Sequence, residues 1–184
     1  MNIVSPIRSM DTVREVKRQA QLMGRQQYLM VLLGLNTGLR ISDILQITVG
    51  DIQERGYIVR REIKTGKQTE IRFHPAVVSE IKRLTADRPM DELLFMSRQI
   101  GRSRKSVSRG TAYKWIVSAC RRAGMTEPVG CHTLRKTYGY HHYMQNRDVV
   151  LLMMHFNHSS EAVTLRYIGV TQDQINRTTQ KFRL

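Results

Sequence analysis

The chain has 184 residues, of which 41% are hydrophobic, so it can bury one core and is short for two domains. This apolar content excludes general disorder, whereas the formal net charge of +15 indicates a polyanionic partner. Two cysteines make no disulfide framework, and no apolar run is typical of a signal peptide or a membrane span. We therefore expect a cytoplasmic protein without a membrane partner.

The positive charge is concentrated in the second half of the chain. Residues 1–92 hold 15 basic and 11 acidic side chains, whereas residues 93–184 hold 15 and 4. No acidic residue stands between Glu92 and Glu127. Nucleic acid is the first candidate partner, because basic side chains displace condensed counterions from its phosphates. An anionic membrane surface is the rival, and it would need an amphipathic or lipidated anchor.

The first third of the chain predicts helices. Residues 11–23 have helical spacing of apolar residues, with Asp11 or Thr12 as the N-cap. A more apolar helix follows and ends at Gly38, where a glycine suits a left-handed C-cap. The segment ISDILQI, residues 41–47, predicts a short third helix.

Three strands are predicted next, from VGDIQ (49–53), YIVRREI (57–63) and QTEIRF (68–73). The spacing between the last two is typical of a hairpin turn, and it contains glycine. Lys64 lies at this predicted tip, from which a long basic side chain can enter a groove. The expected sheet is small, three-stranded and antiparallel.

The rest of the chain predicts helices separated by one basic loop at residues 98–110. Pro75 begins a helix that reaches about Leu84, since proline is tolerated in the first turn. Further helices are expected at 111–123, 133–144 and 148–156. Ser159 or Ser160 caps another that ends at Gly169, and a polar helix covers 171–182. The predicted fold class is α+β and mostly helical, with 1–184 forming one domain, 1–10 an N-terminal extension and 171–184 a tail helix.

The chain contains the groups that phosphodiester transfer needs without a metal: a nucleophile, an acid and fixed cations. His132 and Arg135 are three residues apart on one predicted helix and so share a face. Arg40 follows a helix break, and its planar guanidinium suits bidentate phosphate binding. Lys64 and Tyr167 complete the set. Taken singly, each is more typical of a solvated face or a half-buried core residue.

Taken in order, these residues lie in segments that resemble the tyrosine recombinases of the phage-integrase type. Residues 37–45, TGLRISDIL, resemble the box around the first catalytic arginine. The run HTLR at 132–135 resembles the His-x-x-Arg box, and residues 157–169 resemble the closing box with its tyrosine. Lys64 falls on the turn where this family keeps its lysine. The resemblance extends from about Asp11 to the C-terminus.

The resemblance implies a site-specific recombinase or integrase that cleaves and rejoins DNA through a 3′-phosphotyrosyl intermediate, with no metal and no cofactor. Tyr167 would attack the scissile phosphate, and Arg40 and Arg135 would hold its non-bridging oxygens. Lys64 would protonate the departing 5′ oxygen. Such a protein would come from a bacterium, a phage or a mobile element.

The same resemblance gives roles to the remaining polar residues of these boxes. His132 and His158 would bond the phosphate or assist proton transfer at the tyrosine. Asp43 is interpreted as a carboxylate that orients Arg40, although an exposed neighbour three residues away is an equal alternative. Asn157 replaces the usual glycine before the late histidine, and asparagine tolerates left-handed backbone angles. Lys136 stands where the family often has histidine.

The implied partner is double-stranded DNA, with a homo-oligomer, a tetramer, on DNA and a possible monomer without it. Only about ten residues precede the first predicted helix, so the N-terminal domain usual in this family is expected to be absent. The C-terminal helix is expected either to dock on a neighbouring protomer or to pack on its own domain. The predicted DNA-binding side chains are basic: Arg98, Arg102, Arg104, Lys105, Arg109 and Lys136.

Other functions compete with this hypothesis. One is a DNA-binding accessory protein that uses the scaffold without cutting, but a pure binder has no use for the tyrosine. Another is a type IB topoisomerase-like activity, which shares the chemistry without exchanging partners. A zinc site would draw on side chains whose spacing fits no common zinc motif, namely Cys120, Cys131, His132, His141 and His142.

Overall fold

The computed structural model describes residues 4–61, 68–97 and 105–183. Within these ranges, no helix is both long and apolar enough to cross a membrane. The helices and strands follow one another in the order α1 (Met10–Met23), α2 (Arg25–Thr37), α3 (Ile41–Ile44), α4 (Val49–Gln53), β1 (Tyr57–Arg61), β2 (Gln68–Arg72), α5 (Pro75–Thr85), α6 (Arg109–Arg122), α7 (Cys131–Asn146), α8 (Val149–Phe156), α9 (Glu161–Ile168) and α10 (Val170–Lys181).

The central helix of the fold is α2. Its sequence is apolar on all sides, and such a helix is stable only where neighbours cover it. It contacts α1, α5, α6 and α7. Close approach of α7 depends on Gly34, because a Cβ atom there would lie 2.7 Å from Cδ1 of Leu134. The predicted apolar helix that ends at Gly38 is confirmed, with Gly38 in the left-handed region at φ 61°.

The described ranges contain a two-stranded sheet, so the prediction of three strands is wrong. β1 pairs antiparallel with β2, and Val59 lies opposite Glu70. The predicted first strand forms α4 instead, because Thr48 and Asp51 make a capping box. The Thr48 hydroxyl accepts from the Asp51 amide at 3.2 Å, and the Asp51 carboxylate accepts from the Thr48 amide at 2.9 Å. This cap outweighs the strand propensity of the apolar residues that follow.

Several helix ends differ from the predictions by a turn or less. α1 begins at Met10 and is capped by Ser9, whose hydroxyl accepts from the Thr12 amide. Neither predicted cap, Asp11 or Thr12, is therefore correct. α3 has only four residues, whereas the sequence predicted a helix over 41–47. Ser160 caps α9, which confirms one of the two predicted alternatives, Ser159 and Ser160.

Two separate groups of buried apolar side chains stabilise the fold. The main core extends from Ile7 to Leu134 and joins α1 to α7 and both strands. The second cluster has four fully buried members, contributed by α8, by the end of α9 and by the start of α10. Aromatic side chains of α7 cover it, together with Tyr167. Its four members are Leu152, Phe156, Ile168 and Val170.

The described part of the predicted N-terminal extension packs against α7 and α10. The Ile7 amide donates to the Thr137 hydroxyl at 2.8 Å, and the Ser5 amide donates to the Pro128 carbonyl at 3.1 Å. Arg8 forms an ion pair with Asp173 of α10, with 2.7 Å between Nη2 and Oδ1. Residues 4–8 thus connect the start of the chain to its last helix.

Candidate active site

The turn that carries Arg40 is anchored from two other helices. Gly38 ends α2 in the left-handed region, and a Cβ atom there would clash with Cδ1 of Tyr138. The Thr37 carbonyl is 2.7 Å from Nε2 of His155, which donates to it from α8. The Gly38 carbonyl accepts from Nη1 of Arg135 on α7. Arg40 itself is the N-cap of α3 and is exposed, so its guanidinium projects from a fixed corner.

Arg135 is almost completely buried, with 2% of its surface exposed. Besides the Gly38 carbonyl, it donates through Nη2 to the Phe156 carbonyl at 3.1 Å. Its guanidinium carbon lies 4.1 Å from the centroid of the Phe156 ring, a cation–π contact. A buried cation is tolerated only when hydrogen bonds replace its water. Arg135 is therefore held rigidly, and it links the Arg40 turn to α8.

Tyr167 lies at the centre of the cluster. Its hydroxyl is 3.0 Å from Nδ1 of His132, and Arg135 also hydrogen-bonds to it. The half-buried Tyr167 ring contacts Phe156 edge-on, with 5.6 Å between the ring centroids. Nζ of Lys136 lies 5.1 Å from the centroid of the Tyr167 ring. Burial raises the pKa of Tyr167 above its ordinary value, although Arg135 and Arg40 oppose the rise. The resting phenol is therefore protonated at neutral pH.

His132 is positioned to accept the proton of Tyr167. It lies in the first turn of α7, three residues before Arg135, and both side chains reach the same hydroxyl. Burial lowers the pKa of His132, and the charges of Arg135, Lys136, Arg109 and Arg40 lower it further. A neutral imidazole at neutral pH has a free lone pair, so it can act as a base.

His158 approaches Tyr167 from the other side. Asn157 ends α8 with φ 54°, so the prediction that asparagine adopts the left-handed turn is confirmed. Nδ1 of His158 is 3.1 Å from the hydroxyl oxygen of Thr164, and the imidazole and Tyr167 ring centroids are 5.0 Å apart. Burial lowers the pKa of His158, followed by the charges of Arg135 and Arg40. His158 is thus also neutral and faces the two arginines.

The structure therefore brings together five of the six residues predicted to be catalytic. Chemically, the arrangement offers a phenol with an adjacent base, and two guanidinium groups that can hold an anion. Among the residues that the structure describes, no three His, Cys, Asp or Glu side chains cluster as metal ligands. The five residues are Arg40, His132, Arg135, His158 and Tyr167.

The sixth residue, Lys64, lies outside the described residues, as do Arg98, Arg102 and Arg104 of the basic loop. Lys105 and Arg109 are exposed, and Arg109 is close enough to His132 to affect its pKa. Their predicted contact with DNA stays a prediction.

Lys136 and Asp43 have surroundings that the sequence did not indicate. Lys136 is only 9% exposed, and its ammonium group donates to the Val4 carbonyl at 2.8 Å. Burial lowers its pKa. One Asp43 oxygen accepts from the Ser42 hydroxyl at 3.2 Å, and the other is buried without a hydrogen-bond partner in the described part of the chain. The predicted orientation of Arg40 by Asp43 therefore stays a prediction.

Sequence reasoning missed the residues that support the site. His155 donates a hydrogen bond to the Thr37 carbonyl in the Arg40 turn. The Phe156 ring stacks on the Arg135 guanidinium, and the Thr164 hydroxyl is hydrogen-bonded to His158. The one signal in the sequence was that His155 directly follows the apolar run LLMM, residues 151–154. Gly139 offers no signal, yet a Cβ atom there would lie 2.7 Å from both Phe156 and Ile168.

The chain is similar to known proteins along nearly its whole length. The sequence profile of the phage integrase family matches residues 10–174. The probable integrase/recombinase YoeC of Bacillus subtilis (strain 168) is 40% identical over 173 residues, which cover 94% of this chain and 93% of that protein.

Solved structures show the same fold at lower identity. The crystal structure of XerA recombinase matches with a TM-score of 0.73 and 22% identity, covering 98% of this chain and 65% of that one. A lambda integrase tetramer bound to a Holliday junction contains a chain that matches with a TM-score of 0.68 and 18% identity, covering 91% and 49%. This chain thus spans just under two thirds of the first structure and about half of the second.

Proposed function

Because the chain belongs to the phage integrase family, we propose that it is a site-specific recombinase that cleaves and rejoins DNA through a 3′-phosphotyrosyl bond to Tyr167. In this proposal residues 1–184 act as one catalytic domain and residues 171–184 as its tail. The observation that carries it is the 3.0 Å contact between the Tyr167 hydroxyl and Nδ1 of His132, beside two arginines. A protein that only binds DNA would need neither the base nor the buried clamp.

The proposed cleavage step begins with proton transfer from Tyr167 to His132. The phenolate oxygen forms a bond to the scissile phosphorus, and the bond from phosphorus to the 5′ oxygen breaks. That oxygen takes up a proton, which Lys64 supplies in this proposal. Arg40 and Arg135 hold the non-bridging oxygens and stabilise the charge of the transition state. Rejoining reverses the step, since a 5′ hydroxyl attacks the phosphotyrosine and Tyr167 recovers its proton.

We propose that double-stranded DNA lies over the face where Arg40 is exposed. Arg109 begins α6 near His132, and Lys105 is exposed just before that helix, so both can meet phosphates that flank the scissile one. For Arg98, Arg102 and Arg104 the proposed contact with DNA rests on the sequence alone. Lys136 is buried over the Tyr167 ring. We therefore propose that it acts beside the nucleophile and does not contact distant phosphates.

We also propose that copies of the chain assemble as a tetramer on DNA, as in the lambda integrase structure. Apolar side chains that are exposed in the single chain support this assembly. On α8, Leu151 and Met154 are 59% and 60% exposed. On α10 and just beyond it, Ile175 and Phe182 are 51% and 70% exposed. Burial of these side chains between neighbouring copies would remove apolar surface from water.

The decisive experiment uses nicked duplexes, because cleavage next to a nick releases a short fragment and the cleaved strand cannot be rejoined. The sequence around the nick is randomised so that the pool includes the target site. Wild-type protein is expected to form a protein–DNA adduct that survives denaturation. Tyr167→Phe should form none while it still binds DNA, because the phenyl ring lacks the attacking oxygen. Tyr113→Phe, an exposed tyrosine on α6, is the matched control and should react normally.

Each other outcome rejects part of the proposal. An adduct with Tyr167→Phe would assign the nucleophile to another residue. Binding by the wild type without any adduct would favour the non-cutting accessory protein. In a parallel reaction with supercoiled plasmid, relaxation with no exchange of strands between duplexes would favour the topoisomerase-like alternative.

A further inference from the structure

Thr164 lies directly behind His158 and is completely buried. Its side-chain oxygen is 3.1 Å from the Ser160 carbonyl, four residues earlier on α9, and 3.1 Å from Nδ1 of His158. The hydroxyl therefore contacts two polar atoms at hydrogen-bond distance. Neither the motifs of the sequence nor the proposed cleavage step gives this residue a role.

The hydrogen-bond inventory of these atoms limits how they can pair. A hydroxyl group has one hydrogen to donate and two lone pairs that accept. Since a carbonyl oxygen can only accept, the 3.1 Å contact with Ser160 uses the hydroxyl hydrogen, the usual bond of a buried threonine within a helix. The lone pairs then face His158, so Nδ1 of that imidazole must carry the hydrogen of the 3.1 Å contact.

We propose that Thr164 is a positioning residue that holds His158 as the Nδ1–H tautomer and presents Nε2 to the scissile phosphate. This inference rests on the proposed recombinase function. Thr164 contacts no reacting atom, so it acts only through the ring that it orients. Second partners of this kind commonly decide which nitrogen of a histidine faces a ligand.

The tautomer determines when His158 can bind a phosphate oxygen. Neutral Nε2 has only a lone pair, which a phosphate oxygen repels, so the ring must gain a proton before it donates. The groups that face His158 are Arg135 from α7, Arg40 from the α2–α3 turn and Tyr167 from α9. Burial and the two arginines lower the pKa of His158, whereas a bound phosphate raises it. DNA binding is therefore coupled to proton uptake at this residue.

The first test identifies the tautomer directly by ¹⁵N NMR of the histidine ring in the full chain at a pH where His158 is neutral. Wild type and Thr164→Ser, which keeps the hydroxyl, should both show a protonated Nδ1. Thr164→Val has nearly the same shape without an acceptor and should shift the ring toward the Nε2–H tautomer. A protonated Nε2 in the wild type overturns the proposal, and so does an unchanged tautomer in Thr164→Val.

The second test measures the rate of adduct formation against pH through the histidine range. For wild type and Thr164→Ser the rate should rise with pH as more His132 is neutral, and should fall at higher pH as His158 loses its proton. Thr164→Val should react roughly five- to tenfold more slowly at low pH, the effect of one lost orienting hydrogen bond. Its profile should also be flatter, because its Nε2–H form donates without an extra proton. Parallel profiles for Thr164→Val and wild type would overturn the proposal.

Thr85→Val is the matched control for both tests. Thr85 is also completely buried, donates to the carbonyl four residues earlier at 2.8 Å and accepts from Nε2 of Gln53 at 3.0 Å, but it lies on α5. Its variant should keep the wild-type His158 tautomer and pH profile. If wild type forms no adduct at all, the proposed function fails, while the NMR result still decides whether Thr164 sets the tautomer.

Discussion

The main core and the second cluster hold two different parts of the candidate site. Helices α2 and α7, which carry the Arg40 turn and Arg135, belong to the main core, to which all helices from α1 to α7 contribute. Tyr167 is carried by α9, an eight-residue helix that belongs to the second cluster, which has only four buried apolar members. The groups that hold charge are thus more firmly anchored than the nucleophile.

This difference has a physical reason in the proposed reaction. Cations stabilise a transition state best when they are already in place, since no reorganisation is then needed. A nucleophile must move toward phosphorus and away again, and elements with few buried contacts open at low free energy. α9 begins after the extended backbone of its N-cap Ser160 and ends at the left-handed Gly169, φ 85°, while Asn157 at φ 54° ends α8 shortly before it. Arg135 bridges the two regions through the carbonyls of Gly38 and Phe156.

Replacing Arg135, which bridges the two regions, should have the largest effect on the rate of adduct formation. Arg135→Met is expected to lower the rate of adduct formation by about 10²- to 10³-fold, as for the loss of a main transition-state donor. Arg135→Lys keeps the charge but not the forked geometry, so most of the loss should remain. Rates of adduct formation on nicked duplexes measure both. Arg121→Met, which loses a bond to the Met125 carbonyl far along α6, should react normally. Wild-type rates for Arg135→Lys would show that charge alone suffices.

Truncating one large buried side chain in each region should separate their stabilities. Leu33→Ala in the main core and Phe156→Ala in the second cluster each leave a cavity and should cost about 3–5 kcal/mol. Hydrogen exchange followed by mass spectrometry should show faster exchange throughout the domain for Leu33→Ala. For Phe156→Ala the increase should be largest in α8 and α9. A uniform increase in both variants would mean that the two regions unfold as one unit.

The smallest effect is expected from pH. The pKa values of His132 and His158 are lowered in the folded protein, below the ordinary 6.5. As the pH falls through that ordinary value, the unfolded chain binds protons that the folded chain does not, so the free energy of unfolding falls. Denaturant unfolding at a series of pH values measures this slope. His132→Gln and His158→Gln should each flatten the slope of the unfolding free energy against pH. A slope unchanged in both variants would contradict the lowered pKa values of these histidines.

Much of the fold followed from local patterns. Gly38, Pro75 and Ser160 mark helix ends that the structure confirms, because each satisfies a local backbone requirement. The strand predicted at 49–53 is wrong, because the apolar residues of this segment were interpreted without the capping box that Thr48 and Asp51 form. Five of the six residues predicted as catalytic also converge, because their order and spacing resemble those of a family with one site.

The sequence by itself determined the family and the kinds of group available: a tyrosine, two arginines and two histidines in recognisable segments. Only the tertiary structure decided how these groups pair. Residues 132 and 167 come within hydrogen-bond distance because α7 packs closely on the second cluster, where a Cβ atom on Gly139 would lie 2.7 Å from Phe156 and Ile168. Burial in that packing sets the pKa directions and the partners of Arg135, Lys136 and His158, and no spacing along the chain encodes burial.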